Sequence, residues 1–187
     1  MLLPIVAYGS PVLHKKCVEV YPTYPDLDIL LENMWETMYA SSGVGIAAPQ
    51  VNQSLRIFMV DTKPFIVEDS NEEAFKQVFI NATIIEEKGK DWIFNEGCLS
   101  IPDVREDIKR KSTILIKYQD ENFTWHENSF QGISARVIQH EYDHIEGILF
   151  IDKISSLRKR MIQSKLNNIS KGNIDVSYKM HFLKSKF

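Results

Sequence analysis

A chain of 187 residues, 44 % hydrophobic and 25 % charged, is large enough to bury a real core, and a single domain over residues 1–187 is expected. The net charge of −3 is unevenly spread: Phe150 to Phe187 holds nine Lys/Arg against two acids (+7), and the 13 basic and 23 acidic residues before it sum to −10. Two cysteines, Cys17 and Cys98, argue against a disulfide scaffold, no apolar run approaches membrane-spanning length, and the opening MLLPIVAYGSPVL lacks a basic leader region, so a cytoplasmic chain with reduced thiols and no membrane partner is expected.

The first predicted helix runs from Tyr24 to Ser42: Pro25 suits a first turn, Leu27, Leu30, Leu31, Met34 and Met38 make one apolar stripe, and Gly43 ends it. Short β-branched and aromatic stretches then read as strands over Arg56–Asp61, Val78–Glu86, Asp91–Phe94, Ser112–Gln119 and Phe123–Glu127, with an acidic loop over Lys63–Gln77. A second helix is expected over Gly132–Ile145. A third over Asp152–Asn168 has Ile154, Leu157, Met161 and Ile162 on its apolar side, with Lys153, Arg158, Lys159, Arg160 and Lys165 supplying charge. Residues from about 170 to 187 read as a tail. Strands grouped before a helix suggest α+β rather than alternating βαβ.

On the second helix, His140 and His144 are spaced i, i+4, so both imidazoles leave one face about a turn apart. Two imidazoles so placed can hold one divalent cation, and Glu141 can reach a water beside it. An ordinary helix with two core-edge histidines is the alternative. A hydrolytic site of this kind usually has three protein ligands and an open position. One protease pattern adds a third His six residues after the second, where this chain has Phe150. Another takes a Glu from a later helix, and no Glu follows Glu146. Upstream, Cys98 in Glu96-Gly97-Cys98-Leu99-Ser100 offers a thiolate, a strong ligand for a soft or borderline cation, unless it is simply a small buried hydrophobe. A third segment, Gly43-Val44-Gly45-Ile46-Ala47-Ala48-Pro49-Gln50, lacks the Lys-Ser/Thr of a P-loop and the spacing of a dinucleotide site; its small residues allow close backbone approach or a tight turn.

Taken together, the three segments resemble the signature motifs of the peptide deformylases, GxGxAAxQ, EGCxS and HExDH, matched at every specified position and in order between Gly43 and His144. The resemblance implies an α+β fold, antiparallel β-sheets around a central helix carrying both histidines, plus a C-terminal helix. It implies Cys98, His140 and His144 as metal ligands, Glu141 as general base, and Gln50 with the backbone N–H of Leu99 as oxyanion donors. The reaction implied is removal of the formyl group from the N-terminal methionine of newly made proteins; a zincin-like metallopeptidase is the alternative. Fe(II) is the implied ion, with Zn(II), Ni(II) or Co(II) also suited to Cys/His/His. The methionine pocket maps to Ile46, Phe94, Ile133 and Val137, each of which could equally be plain core, with the stem of Arg136 at its rim, and the Gly45 backbone is expected to pair with an extended substrate. Arg105 is expected either to orient the site or help bind substrate, or else to make a surface salt bridge, and Asp143 either to support His144 or to be solvated; Cys17 reads as packing. The expected partners are formyl-Met nascent peptides and not DNA. The basic C-terminal segment either touches ribosomal RNA transiently, forms a solvated helix face, or engages the acidic body internally.

Overall fold

In the computed structural model, residues 1–64 and 74–183 are described. The elements run β1 (Ile5–Val6), α1 (Leu27–Ala40), β2 (Gly45–Ala47), β3 (Ile57–Asp61), β4 (Lys76–Cys98), β5 (Ile101–Gln119), β6 (Trp125–Gln131), α2 (Gly132–Ile145), α3 (Ser156–Lys171) and β7 (Met180–His181). β2 to β6 form one antiparallel sheet in chain order, so each strand pairs with its sequence neighbour and β2 is left as an edge. This is the expected α+β architecture.

β3 sets the layers. Side chains alternate across a strand, so Phe58 and Val60 join Phe79, Ile114 and Ile116 under α2, while Ile57 and Met59 face the α1 residues Leu31, Met34 and Met38. The sheet is therefore covered on both sides here, which is why all five β3 residues are buried. A third cluster joins Val6, Leu13, Ile101, Val104 and Ile108 to Phe150 and to Ile162, Leu166 and Ile169 of α3.

Several expectations change. On α3, Leu157 and Met161, expected on the apolar side, are exposed, and the buried positions are Ile162, Leu166 and Ile169. The strands expected over Val78–Glu86 and Asp91–Phe94 are one 23-residue strand, β4. Pairing with β5 carries it through the polar stretch between them, with register shifts at Ile84/Glu86 and Lys88/Asp91 taking up the extra residues. Likewise β5 begins at Ile101 rather than Ser112. Of the loop expected over Lys63–Gln77, residues 65–73 lie outside the described residues.

The chain beyond residue 170, read as a tail, turns at Gly172 (φ +76°) and comes back to place β7 parallel to β1, pairing Ile5 with Met180 and Val6 with His181. Residues 184–187 lie outside the described residues. Three of the basic side chains near α3 are paired within the fold: Lys153 with Asp143 (3.1 Å), Arg158 with Glu106 (2.6 Å) and Lys159 with Asp152 (2.7 Å).

Candidate active site

α2, the end of β4 and the β2 edge converge on one cleft. α2 is amphipathic in an unusual sense: Ala135, Ile138 and Ile145 are buried in the apolar cluster, and Arg136, His140 and Asp143 meet charged partners from the β4–β5 hairpin. Its two histidine rings lie 5.2 Å apart.

Cys98 closes β4 just before the turn to β5, which brings its Sγ to 3.3 Å from His144 Nε2. One donor atom from each of Cys98, His140 and His144 falls within 4.8 Å of the others. Two atoms bonded to one tetrahedral cation at roughly 2.3 Å (sulfur) and 2.0 Å (nitrogen) stand about 3.5 Å apart, so the thiol and imidazole are spaced for a shared ion. The third donor agrees: His140 Nδ1–H donates to Glu96 Oε2 (2.9 Å), which leaves Nε2 as the atom that could face an ion. The residues present fit a metal.

Glu96 is the centre of a buried charge network. Arg110 grips its carboxylate through Nε (2.7 Å) and Nη2 (2.9 Å), and turns Nη1 to Asp143 (2.6 Å). Arg136 adds a bond to Glu96 (2.9 Å) and one to the Ile108 carbonyl (2.9 Å), with its guanidinium 4.7 Å from the Trp92 ring centre. Burial alone would raise the Glu96 carboxyl, but the hydrogen bonds from Arg110 and His140 outweigh it and hold Glu96 ionised far below the usual carboxylate range. Burial also lowers His144 well below an ordinary imidazole, favouring the neutral form that binds a metal. At His140 the thiol of Cys98 and the Glu96 carboxylate overcome burial and raise the ring to about 10, so a cation entering at Nε2 competes with a proton.

Glu141 is as deeply buried as Glu96 but differs in its partners and in its titration. Its Oε2 is buried without a hydrogen-bond partner among the described residues, and burial pushes its carboxyl up to about 7. It lies directly beneath Gly45, where an added Cβ would stand 2.5 Å from Oε1. Gln50 is aimed by its own loop: Oε1 accepts from the Ala47 N–H (2.8 Å), which turns Nε2 towards Cys98 Sγ and Ser100 Oγ, each at 3.5 Å.

The cleft, about 580 Å³, is lined by Gly45, Gln50, Phe94, Leu99, Ile133, Val137, His140 and Glu141, as the sequence had suggested. Ile46 is a correction. Neighbours on a strand face opposite ways, so with Gly45 over Glu141, Ile46 is fully buried among α1 residues such as Met34 and Met38 and does not line the cleft. Arg105 does line it, fixed by bonds to the Asn95 side chain (2.8 Å) and carbonyl, and among the described residues it makes no salt bridge. Asp143 is tied to Arg110 and Lys153 and is not solvated. Cys17 is packed in the apolar cluster behind α2. Sequence reasoning missed Glu96 as the network's centre although it opens the cysteine motif; Arg110, and Val44 and Tyr178 in the cleft wall, had no local signal.

A model of the polypeptide deformylase family matches residues 2–160 of the chain. The chain belongs to this family. It is 56 % identical to the peptide deformylase of Christiangramia forsetii over 100 % of this chain and 98 % of that one, and 54 % identical, with the same coverage, to that of Flavobacterium johnsoniae. Among solved structures, the Thermus thermophilus peptide deformylase superposes with a TM-score of 0.81 at 33 % identity, covering 92 % of this chain and 99 % of that one. The Legionella pneumophila enzyme gives 0.79 at 32 %, covering 92 % and 98 %. As a deformylase, the chain is a metal-dependent hydrolase that removes the N-formyl group from newly synthesised proteins.

Proposed function

We propose that the formyl group is removed at the Cys98/His140/His144 centre with Glu141 as the proton carrier. The observation that supports this most directly is the buried, unpartnered Oε2 of Glu141 beside three convergent metal donors. Held by Cys98, His140 and His144, a divalent cation would supply a water of lowered pKa and polarise the formyl carbonyl. Glu141 takes the proton of the attacking water as its oxygen bonds to the formyl carbon, then hands it to the methionine nitrogen as the C–N bond breaks. Gln50 Nε2 and the Leu99 N–H donate to the oxygen that becomes negative in between. Formate and a free methionine amine result.

Substrate binding follows from the β2 edge. The Val44 carbonyl accepts from the Asp61 N–H on β3 (2.8 Å), so by alternation the N–H and C=O of Gly45 point to the unpaired side. An extended peptide can add there as a further strand, held through its backbone, with its methionine side chain against Phe94, Ile133 and Val137. Gly45 is needed twice, since any side chain at that position would also displace Glu141.

We assign Fe(II) as the native ion by family resemblance; Cys/His/His also suits Zn(II), Ni(II) and Co(II). The enzyme is taken to act in the cytoplasm, where Arg160 and Lys165, exposed and outside the three ion pairs near α3, can make a transient ribosome contact. Anaerobic metal analysis combined with turnover of formyl-Met-Ala-Ser tests the centre: activity should track one iron per chain. Full activity in a zinc-only preparation overturns the iron assignment, and formate release unaffected by Cys98→Ala overturns the centre itself. Co-sedimentation with ribosomes at low salt should weaken in Arg160→Ala/Lys165→Ala; equal binding removes the ribosome contact.

A further inference from the structure

The segment after α3 lies beyond the residues matched by the family model, yet residues 175–178 form part of the cleft wall. We propose that Tyr178 is a positioning residue for the deformylation reaction, fixing through its hydroxyl the turn that carries one oxyanion donor, the Leu99 N–H, and abuts the other, Gln50.

Leu99 and Ser100 are the central residues of the tight turn between Cys98, which ends β4, and Ile101, which opens β5. The peptide joining the two central residues of such a turn is its least constrained unit, because it can rotate between turn types while the flanking strands stay paired. Here both central carbonyls are held. The Tyr178 hydroxyl donates to the Leu99 carbonyl at 2.7 Å, and the Tyr8 N–H donates to the Ser100 carbonyl at 2.9 Å.

Rotation of the Leu99–Ser100 peptide would propagate both ways. Upstream the hinge is ψ of Leu99, the residue whose own N–H is one oxyanion donor. Downstream it moves Ser100 Oγ, the group 3.5 Å from Gln50 Nε2, the other donor. One phenol hydroxyl thus steadies both.

The hydroxyl itself is well placed to do this. Tyr178 stands two residues before β7, and that strand is fastened to β1 by Ile5 N–H to the Lys179 carbonyl (2.9 Å) and Ala7 N–H to the His181 carbonyl (2.9 Å). Phe182 packs over Gly172, where a Cβ would stand 3.3 Å from its ring, and Ile174, Met180 and Phe182 join the α3 cluster. The segment is therefore anchored on both sides of Tyr178.

This inference rests on the reading of Gln50 and Leu99 as oxyanion donors, and the test separates the two. In the metal-loaded enzyme, Tyr178→Phe keeps the ring and removes one hydrogen bond. kcat for formyl-Met-Ala-Ser should fall about three- to ten-fold, the worth of one such bond, with KM within two-fold and the melting temperature lowered by no more than the few degrees that one bond is worth. Unchanged kcat overturns the proposal, as does a fall in kcat that vanishes when turnover is expressed per folded, metal-loaded molecule, which marks a purely structural bond. Gln50→Ala serves as the control. If it too leaves kcat unchanged, the oxyanion reading has failed; if it lowers kcat at least a hundred-fold while Tyr178→Phe does not lower it, only the role of Tyr178 is lost.

Discussion

Along α2, Ala135, Ile138 and Ile145 sit in the cluster with Phe58, Val60 and Phe79, whereas Arg136, His140 and Asp143 meet Glu96 and Arg110. Both sides of the helix are buried, but they are held by different physics. The apolar side gains from area removed from water, has no preferred direction, and tolerates volume-conserving replacement. The charged side starts with a desolvation penalty that only good hydrogen-bond geometry offsets, so each member depends on the others. A fold that needed only stability could have used apolar packing throughout. The charged side instead fixes the ring of His140 by its Nδ1, which apolar contact cannot do.

The contrast can be probed by substitution. Glu141→Gln should have the largest effect, a loss of roughly 10² to 10⁴ in turnover with one metal ion still bound, measured as formate release against metal content. An active variant would break the assignment of Glu141. Glu96→Ala leaves Arg110 and Arg136 buried without their carboxylate, and should cost about 3–5 kcal/mol of stability and about 10- to 100-fold in metal affinity. On the opposite side, Ile138→Ala should cost a comparable 2–5 kcal/mol in denaturant unfolding but leave metal affinity unchanged. If both variants weaken the metal equally, the two sides are not distinct.

Acid sharpens the same comparison. Glu96 is depressed in the folded state, so its stabilisation is complete above its ordinary value of 4.5 and is lost as pH falls through the much lower folded value. Stability of the parent chain should drop on acidification below pH 4.5, and Glu96→Gln should flatten that slope, seen in urea midpoints across the range. The smallest expected effect concerns Cys17 on the apolar side, whose thiol burial pushes up to about 11. At pH 8 roughly one part in a thousand is thiolate, so site-resolved alkylation of the folded enzyme should be slow and should speed up about tenfold per pH unit.

The apolar side of this contrast was far more legible in the sequence than the charged side. α1 and α2 follow from periodicity, and the histidine pair from a spacing internal to one helix, because those signals are local. In β5 the inward positions include Glu106 and Arg110 among Ile101, Val104 and Ile108, so charges stand where alternation predicts apolar residues. Their partners, Arg158 for one and Glu96 with Asp143 for the other, lie on other elements, from the paired strand to the helices that follow, and nothing near residue 110 announces them. The β4 interruption is similar: the run Glu86 to Asp91, with Gly89 at φ +83°, reads as a break, and only pairing with β5 makes it strand. The β1–β7 pair joins opposite ends of the chain and has no local trace.

Cys98 ends a hairpin and His140 and His144 ride a helix, so an ion bound to all three is a cross-link between two layers of the fold. Binding that requires the assembled triad stabilises the folded chain by mass action, by about 1.4 kcal/mol for every tenfold excess of free metal over its dissociation constant. The melting temperature of this enzyme is then a gauge of the metal supply around it, and a cell short of the ion loses folded protein along with activity.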